Sequence, residues 1–470
     1  MDSFLFYDTE TTGLNSAFDQ ILTFAAIRTD TDLNEIERYS ITIQMRPDIV
    51  PSPGAFVTHR LTPEDLKQGI CEYEGACIIH GIVNKPGTIS IGYNSLGFDD
   101  EFLRFTFYRN LLDPYSHQYA DGCYRIDLLP ITTIYRIFRP EIIQWPEMDD
   151  GKSTLKLELI SKINGFVTSG RAHDAIADVE ATVELAKCFM KDEDMLRYCF
   201  GFFDKQVDRK RIDDFTHAIM VSTKFGADSM YMAPVLGIGR SSHYANQSLW
   251  LRLDRDIIPQ SGILSHEELF AVRKKDGEPD IILPPLPRFW NRLSDEQKIS
   301  AEKNLYVIHE NQKNNSLFKK IVEYHRQFKY QLVPEADLDS VLYQTPFFNR
   351  AEKREIYQFH NSSFMEKIAL VKSMKSSRIK SIATRILFRN YMDKGLPPFI
   401  CREYENYMER VRLSTNDIQV YPKKIIGFKK DERLVPEKAL EELLKIRREV
   451  KLDGEQKKIL EWLEGYIGSM

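Results

Sequence analysis

The chain has 470 residues, of which 43% are hydrophobic and 28% charged, with a formal net charge of −5. That apolar share excludes a mainly disordered protein, and the length favours two or three domains over one. No apolar run approaches the ~20 residues that cross a bilayer. The opening MDSFLFYDTE has no basic start, which argues against a secretory signal and for a cytoplasmic protein without membrane contact. Six cysteines at 71, 77, 123, 188, 199 and 401 form no CxxC pair, as reduced thiols would be scattered. Charge is uneven: residues 1–200 carry about −13, 201–470 about +8, and 371–430 alone about +9. An acidic part beside a basic part suggests metal chemistry in one and an anionic partner for the other, unless both are solvated faces.

In chain order, short β-rich runs at 4–8, 23–29, 39–44 and 88–93 alternate with helical periods at 101–111, 155–163 and 175–190. This predicts a sheet layered with helices over residues 1–200. Beyond 200, alternating segments at 248–253 and 269–273 read as strands of a small β domain, 201–348. The run ILPPLPRFW, 282–290, reads as a loop. From about 349 to 470 the texture is helical, with REIYQFH, SRIKSIATRILFRNYM and EKALEELLKIRREV as the clearest periods.

Three motifs carry chemistry. In FLFYDTETTG, Asp8 and Glu10 lie two apart on a strand and face the same side, and a divalent cation is the usual way to keep such a pair ionised. In GYNSLGFDDEF, Asp99 stands where a strand turns into a helix, while Asp100 and Glu101 suit the first helical turn. In AHDAIADVEAT, a cap at Asp174 would leave His173 just outside the helix, free to swing over Asp178.

Together, Asp8-x-Glu10, Asp99 and His173-x₄-Asp178 resemble the DEDD 3′→5′ exonucleases of the His subclass. The stretches TFAAIRTD, FYRN, DPY, IQWPEMDDG, FGADSMYMAPVLG and RILFRNYMDKGLP narrow the resemblance to the bacterial exonuclease I family over nearly the whole chain. The resemblance implies an α/β architecture: an RNase H-like exonuclease domain, an SH3-like β domain and a helical carboxy-terminal domain. It implies a single-strand-specific 3′→5′ exodeoxyribonuclease releasing 5′-mononucleotides, in DNA repair or recombination, with two Mg²⁺ ions (Mn²⁺ as substitute). Asp8, Glu10 and Asp178 would be metal ligands, Asp8 bridging. Asp99 would help hold the second ion and His173 act as general base. Glu10, Thr11 and Leu14 would meet the 3′-terminal nucleotide, and Lys156 a phosphate.

For the rest of the strand, Arg104, Tyr108, Arg109, Tyr115 and Tyr119 mix cations with aromatics, as single-strand grooves do. The resemblance also implies a protein partner, the acidic tail of single-stranded DNA-binding protein. A stripe of Arg378, Ile382, Arg385 and Arg389, with Ile379, Lys380 and Leu387 beside it, reads either as the receptor for that tail or as a grip on DNA phosphates. A monomer is expected. The alternatives are an exoribonuclease of the same superfamily, a polymerase proofreading subunit, or a nucleic-acid-binding module without turnover.

Overall fold

The computed structural model describes residues 2–148, 151–166, 175–213, 215–255, 271–314, 317–413 and 424–470. The first five strands, β1 (Ser3–Thr11), β2 (Ile21–Thr29), β3 (Glu35–Thr42), β4 (Thr88–Gly92) and β5 (Tyr124–Asp127), form one sheet in the order β3-β2-β1-β4-β5. β2 runs antiparallel to both of its neighbours, whereas β1, β4 and β5 are parallel. This is the RNase H-like arrangement the resemblance implied.

Both faces of the sheet are covered, and β1 shows why its sequence specifies them. Phe4 and Phe6 enter a core with Ile131, Tyr135, Val179 and Val183 of the helices Leu128–Phe138 and Ala175–Met190. Leu5 and Tyr7 enter a second core with Ile79, Val83, Phe102 and Leu103 of Glu72–Val83 and Asp99–Arg109. A period of two thus sends even-numbered side chains to one face and odd-numbered ones to the other.

β3 starts earlier than the predicted 39 because it is the charged sheet edge, where Glu35, Glu37 and Arg38 meet solvent without penalty. β5 and the helix Glu72–Val83 were not predicted. The strand is only four residues, two of them charged. The helix contains Gly75 and Gly81, which lower its propensity; at Gly75 a Cβ would lie 2.8 Å from Ile43 Cδ1, so packing excludes a larger residue.

The second sheet comprises β6 (His217–Val221), β7 (Met232–Arg240), β8 (Gln247–Arg252), β9 (Ala271–Lys275) and β10 (Ile281–Leu283), in the order β10-β6-β7-β8-β9. Its first strand pairs with the second and fifth, all antiparallel, as in an SH3-like unit. The helices Asp295–Asn314 and Leu317–Gln327 cover it through Ala301, Ile308 and Ile321.

The predicted loop at 282–290 needs correction. Ile282 and Leu283 precede the prolines and pair with β6 at the sheet edge, and Pro287 starts a helical turn to Trp290, a position that tolerates its missing N–H.

The remaining helices, among them Arg350–His360, Ser377–Asn390, Pro398–Val411, Pro436–Glu449 and Gly454–Gly468, share a core with Phe18, Val50, Phe56 and Tyr108 of the first unit. The helical part is therefore packed into the first unit rather than tethered to it.

Candidate active site

Asp8 and Glu10 follow Phe4 and Phe6 onto the face covered by the Ala175–Met190 helix, whose first turn carries Asp178. Carboxylate oxygens of Asp8, Glu10 and Asp178 all lie within 4.8 Å of one another. A bulge between Glu10 and Thr11 ends the regular pairing of β1 beside them, a common device for re-aiming side chains at a site.

Thr9 points the other way and holds Asp99. Its backbone N–H and hydroxyl donate to Asp99 Oδ1 at 3.1 and 2.6 Å. The turn that delivers Asp99 is fixed by Asp127, which accepts from the backbone N–H groups of Asn94 (2.8 Å), Leu96 (3.1 Å) and Leu129 (3.0 Å). Sequence reasoning missed Asp127. The available signal was an Asp capping the helix that follows it.

Burial, then the charges of Asp99, Glu10 and Asp178, push the Asp8 carboxyl well above the usual range. Burial pushes Asp99 up to about 7, against the hydrogen bonds from Thr9. Carboxylates this close disfavour one another's ionised form, and a divalent cation removes that repulsion. The donor set, all oxygen and converging from two elements, suits a hard cation.

Asp100 and Glu101 are structural, as predicted. Asp100 accepts from Arg104 (2.7 Å), Arg125 (2.5 Å) and His117 (2.9 Å). This corrects the reading of Arg104 as substrate-binding: its guanidinium is enclosed by Asp100, Glu101 and the Tyr343 hydroxyl, with the side chain 6% exposed. Arg109 is likewise buried on Glu72, and Tyr108 is core. Asp100 and Glu101 thus satisfy Arg104 within the helix, and Glu72 of the neighbouring helix satisfies Arg109.

Leu14 is 84% exposed at the tip of the turn after β1. The turn is tight: Thr11 donates to Gly13 O at 2.7 Å, and Asp19 accepts from the Thr12 hydroxyl (3.1 Å) and Asn15 N–H (2.8 Å). A Cβ on Gly13 would sit 2.5 Å from Asp19 Oδ2, which explains the glycine.

Among the described residues, two roomy clefts lie between units. One, of about 770 Å³, is lined by Tyr93, Asn94, Lys152, Lys156, Thr223 and Tyr231. Lys156 is exposed there. The other, of about 520 Å³, is lined by Tyr115, Tyr119, Tyr343, Phe347, Phe348 and Lys353. Phe347 is 81% and Tyr119 65% exposed, and Tyr115 and Phe347 stand edge to face at 5.6 Å. His173 lies outside the described residues.

The basic stripe also needs correction. Arg378 pairs with Glu352 at 2.8 Å, Arg385 with Asp337 at 2.5 Å, and Arg389 with Asp339 at 2.5 Å and Asp48 at 3.1 Å. Ile379, Ile382 and Leu387 are core. The face turns inward, its charges paired with Glu352, Asp337 and Asp339 and, in the first unit, with Asp48. Of the four basic residues named from that stretch, only Lys380 is exposed.

The model of the exonuclease (RNase T) family matches residues 5–186. The chain is 30% identical over 421 residues to the exodeoxyribonuclease I of Buchnera aphidicola subsp. Schizaphis graminum, covering 83% of this chain and 84% of that protein. Escherichia coli K12 exodeoxyribonuclease I is 38% identical over 241 residues, 50% of each chain. Among solved structures, E. coli exonuclease I in complex with a dT13 oligonucleotide matches with a TM-score of 0.84 at 24% identity, covering 100% of both chains. An apo exonuclease I matches with a TM-score of 0.81 at 26% identity, covering 100% of this chain and 99% of that one.

Proposed function

Because the chain belongs to the exodeoxyribonuclease I family, we propose that it removes 5′-mononucleotides one at a time from the 3′ end of single-stranded DNA, with Mg²⁺ as cofactor. The convergence of Asp8, Glu10 and Asp178, with Asp99 beside Asp8, carries this reading. These four carboxylates would hold the metal, with Asp8 facing the other three, and Mn²⁺ would substitute. Two such ions, when bound, supply an activated water and stabilise charge on the leaving oxygen.

The chain's own residues do the rest. Thr9 orients the Asp99 carboxylate through two donors, so that it meets its ion without rearranging. His173 is assigned the proton of the attacking water, for which an imidazole is suited near neutral pH. Leu14, with Thr11 behind it, offers an apolar edge to the terminal base, and Glu10 reaches the same nucleotide. Lys156 takes a phosphate in the first cleft. In the second, Tyr115, Tyr119 and Phe347 offer faces on which bases stack, each worth ~1–3 kcal/mol. That exposed aromatic cleft replaces Arg104 and Arg109 as the groove.

The test is hydrolysis of end-labelled single-stranded DNA and RNA with Mg²⁺ and with EDTA. DNA cleaved, RNA spared and EDTA inhibiting is expected; RNA cleaved as fast as DNA makes the chain a general 3′ exonuclease.

The pH dependence has a defined sign. Asp8 and Asp99 both have raised folded-state pKa values, Asp99 at about 7, so the metal-free protein keeps a proton on Asp99 up to about pH 7 and loses stability as pH rises from the unfolded value through the folded one. Cation binding displaces those protons and relieves the repulsion, so the rise in melting temperature produced by Mg²⁺ should be larger at pH 8 than at pH 6. Equal rises at the two pH values would remove the carboxyl cluster as the metal site.

A further inference from the structure

The turn bearing Leu14 is braced from outside its own unit. Asn15 Nδ2 donates to Asp431 Oδ2 at 2.5 Å, across 416 residues of sequence. Asp431 sits in a small hairpin of the helical part, closed by the bridge between Ile426 and Glu432 and by Gly427 N–H donating to Asp431 O at 2.6 Å. The fit is close: a Cβ on Gly427 would lie 2.4 Å from Asp431 Oδ1. Two residues on, the Arg433 guanidinium donates to the Asp48 carboxylate at 3.3 Å and stands 5.9 Å from the Phe18 ring centroid, so the hairpin is anchored on both sides of the turn. From within, Asp19 holds the same turn through Thr12 and Asn15. Asn15 therefore stands between an internal and an external carboxylate.

We propose that Asp431 is a positioning residue for the 3′ end of the substrate: through Asn15 it fixes the Leu14 turn against the carboxylate cluster. This rests on the reading of Leu14 as the contact to the terminal nucleotide. The turn leaves β1 one residue after Glu10, so a shift of the tip changes the alignment of the terminal phosphodiester with Asp8 and Glu10. Misplacement by about 1 Å at such a point lowers turnover about 100-fold. Binding of a long strand, spread over both clefts, would change little.

The experiment compares Asp431→Ala, Asp431→Asn and Asn15→Ala in the full chain. Asn at 431 keeps an acceptor for Asn15, whereas Ala does not. Asp431→Ala and Asn15→Ala should each lower kcat about 10- to 100-fold on a long single strand with KM within about twofold of the parent, and Asp431→Asn should restore most of it. Amide hydrogen exchange at Leu14 and Asn15 should quicken in the two Ala variants at unchanged melting temperature. This readout needs no activity, so a chain that failed to digest DNA would sink the proposed function while leaving the bracing testable. Unchanged exchange in both Ala variants overturns the bracing. Faster exchange with unchanged kcat overturns the positioning role. A loss of rate in Asp431→Asn equal to that in Asp431→Ala overturns the hydrogen bond as its means.

Discussion

Asp8→Asn is expected to lower turnover by about three orders of magnitude or more, a barrier increase of about 4 kcal/mol, while binding of a single strand stays measurable. The side chain it replaces faces Glu10, Asp178 and Asp99 together, and the charges of all three bear on it. Asn matches its volume but brings no charge, so β1 keeps its packing through Phe4, Phe6 and Tyr7 while the cation loses its central ligand. Because removing Asp8 also removes a repulsion, the variant should melt no lower than the parent in EDTA. Single-turnover rates, with strand affinity and melting curves alongside, check all three parts. Residual activity within tenfold of the parent would mean that Asp8 is not the central ligand.

Arg389→Met is expected to destabilise the protein by about 3–5 kcal/mol without touching the active site. Arg389 is held by Asp339 and Asp48, and its neighbour Arg385 by Asp337 and Asp339. Arg433 adds to Asp48, and Asp48 also accepts from Arg46, which reaches Glu72 and through it Arg109. This buried chain of charges joins the helical part to the sheet unit. A methionine there fills the volume but takes one guanidinium from each of two buried carboxylates, leaving Asp48 to Arg46 and Arg433 and Asp339 to Arg385, so that burial weighs more heavily against their ionised forms. Their arginine partners hold Asp48 and Asp339 well below the usual carboxylate range. A depressed folded-state pKa contributes stability that is complete above the unfolded value, about 4, and is lost as pH falls below it. The variant's deficit should therefore be full at pH 7 and shrink in acid. Urea unfolding at both pH values measures it, and a midpoint unchanged at pH 7 would make the network a bystander.

That network also explains what the sequence could and could not disclose. The alternation in FLFYDTET made β1 and the paired carboxylates legible, because a period of two needs only neighbouring residues to be seen. Asp99 and Asp178 were legible for the same kind of reason, each beside a helix start. The arginine stripe was legible as a helix face but not as a buried one. Its partners Asp48, Asp337 and Asp339 lie far off in sequence, and a cation paired across a fold looks like a cation facing water. Arg104 misled in the same way, since Arg125 and His117, which share Asp100 with it, come from a strand and a turn that follow the helix. Tyr115 and Tyr119 were picked out as aromatics near cations. What sequence could not supply was Phe347, brought opposite Tyr115 from more than 200 residues away.

The most direct test follows a 5′-labelled single-stranded oligonucleotide through its digestion in Mg²⁺, beside the same strand with a blocked 3′ end and the same strand in a blunt duplex. The account predicts a ladder shortening from the 3′ end with 5′-mononucleotides as product, no digestion of the blocked strand, and slow attack on the duplex. Early release of the label as a mononucleotide, or digestion of the blocked strand at the same rate, would contradict it.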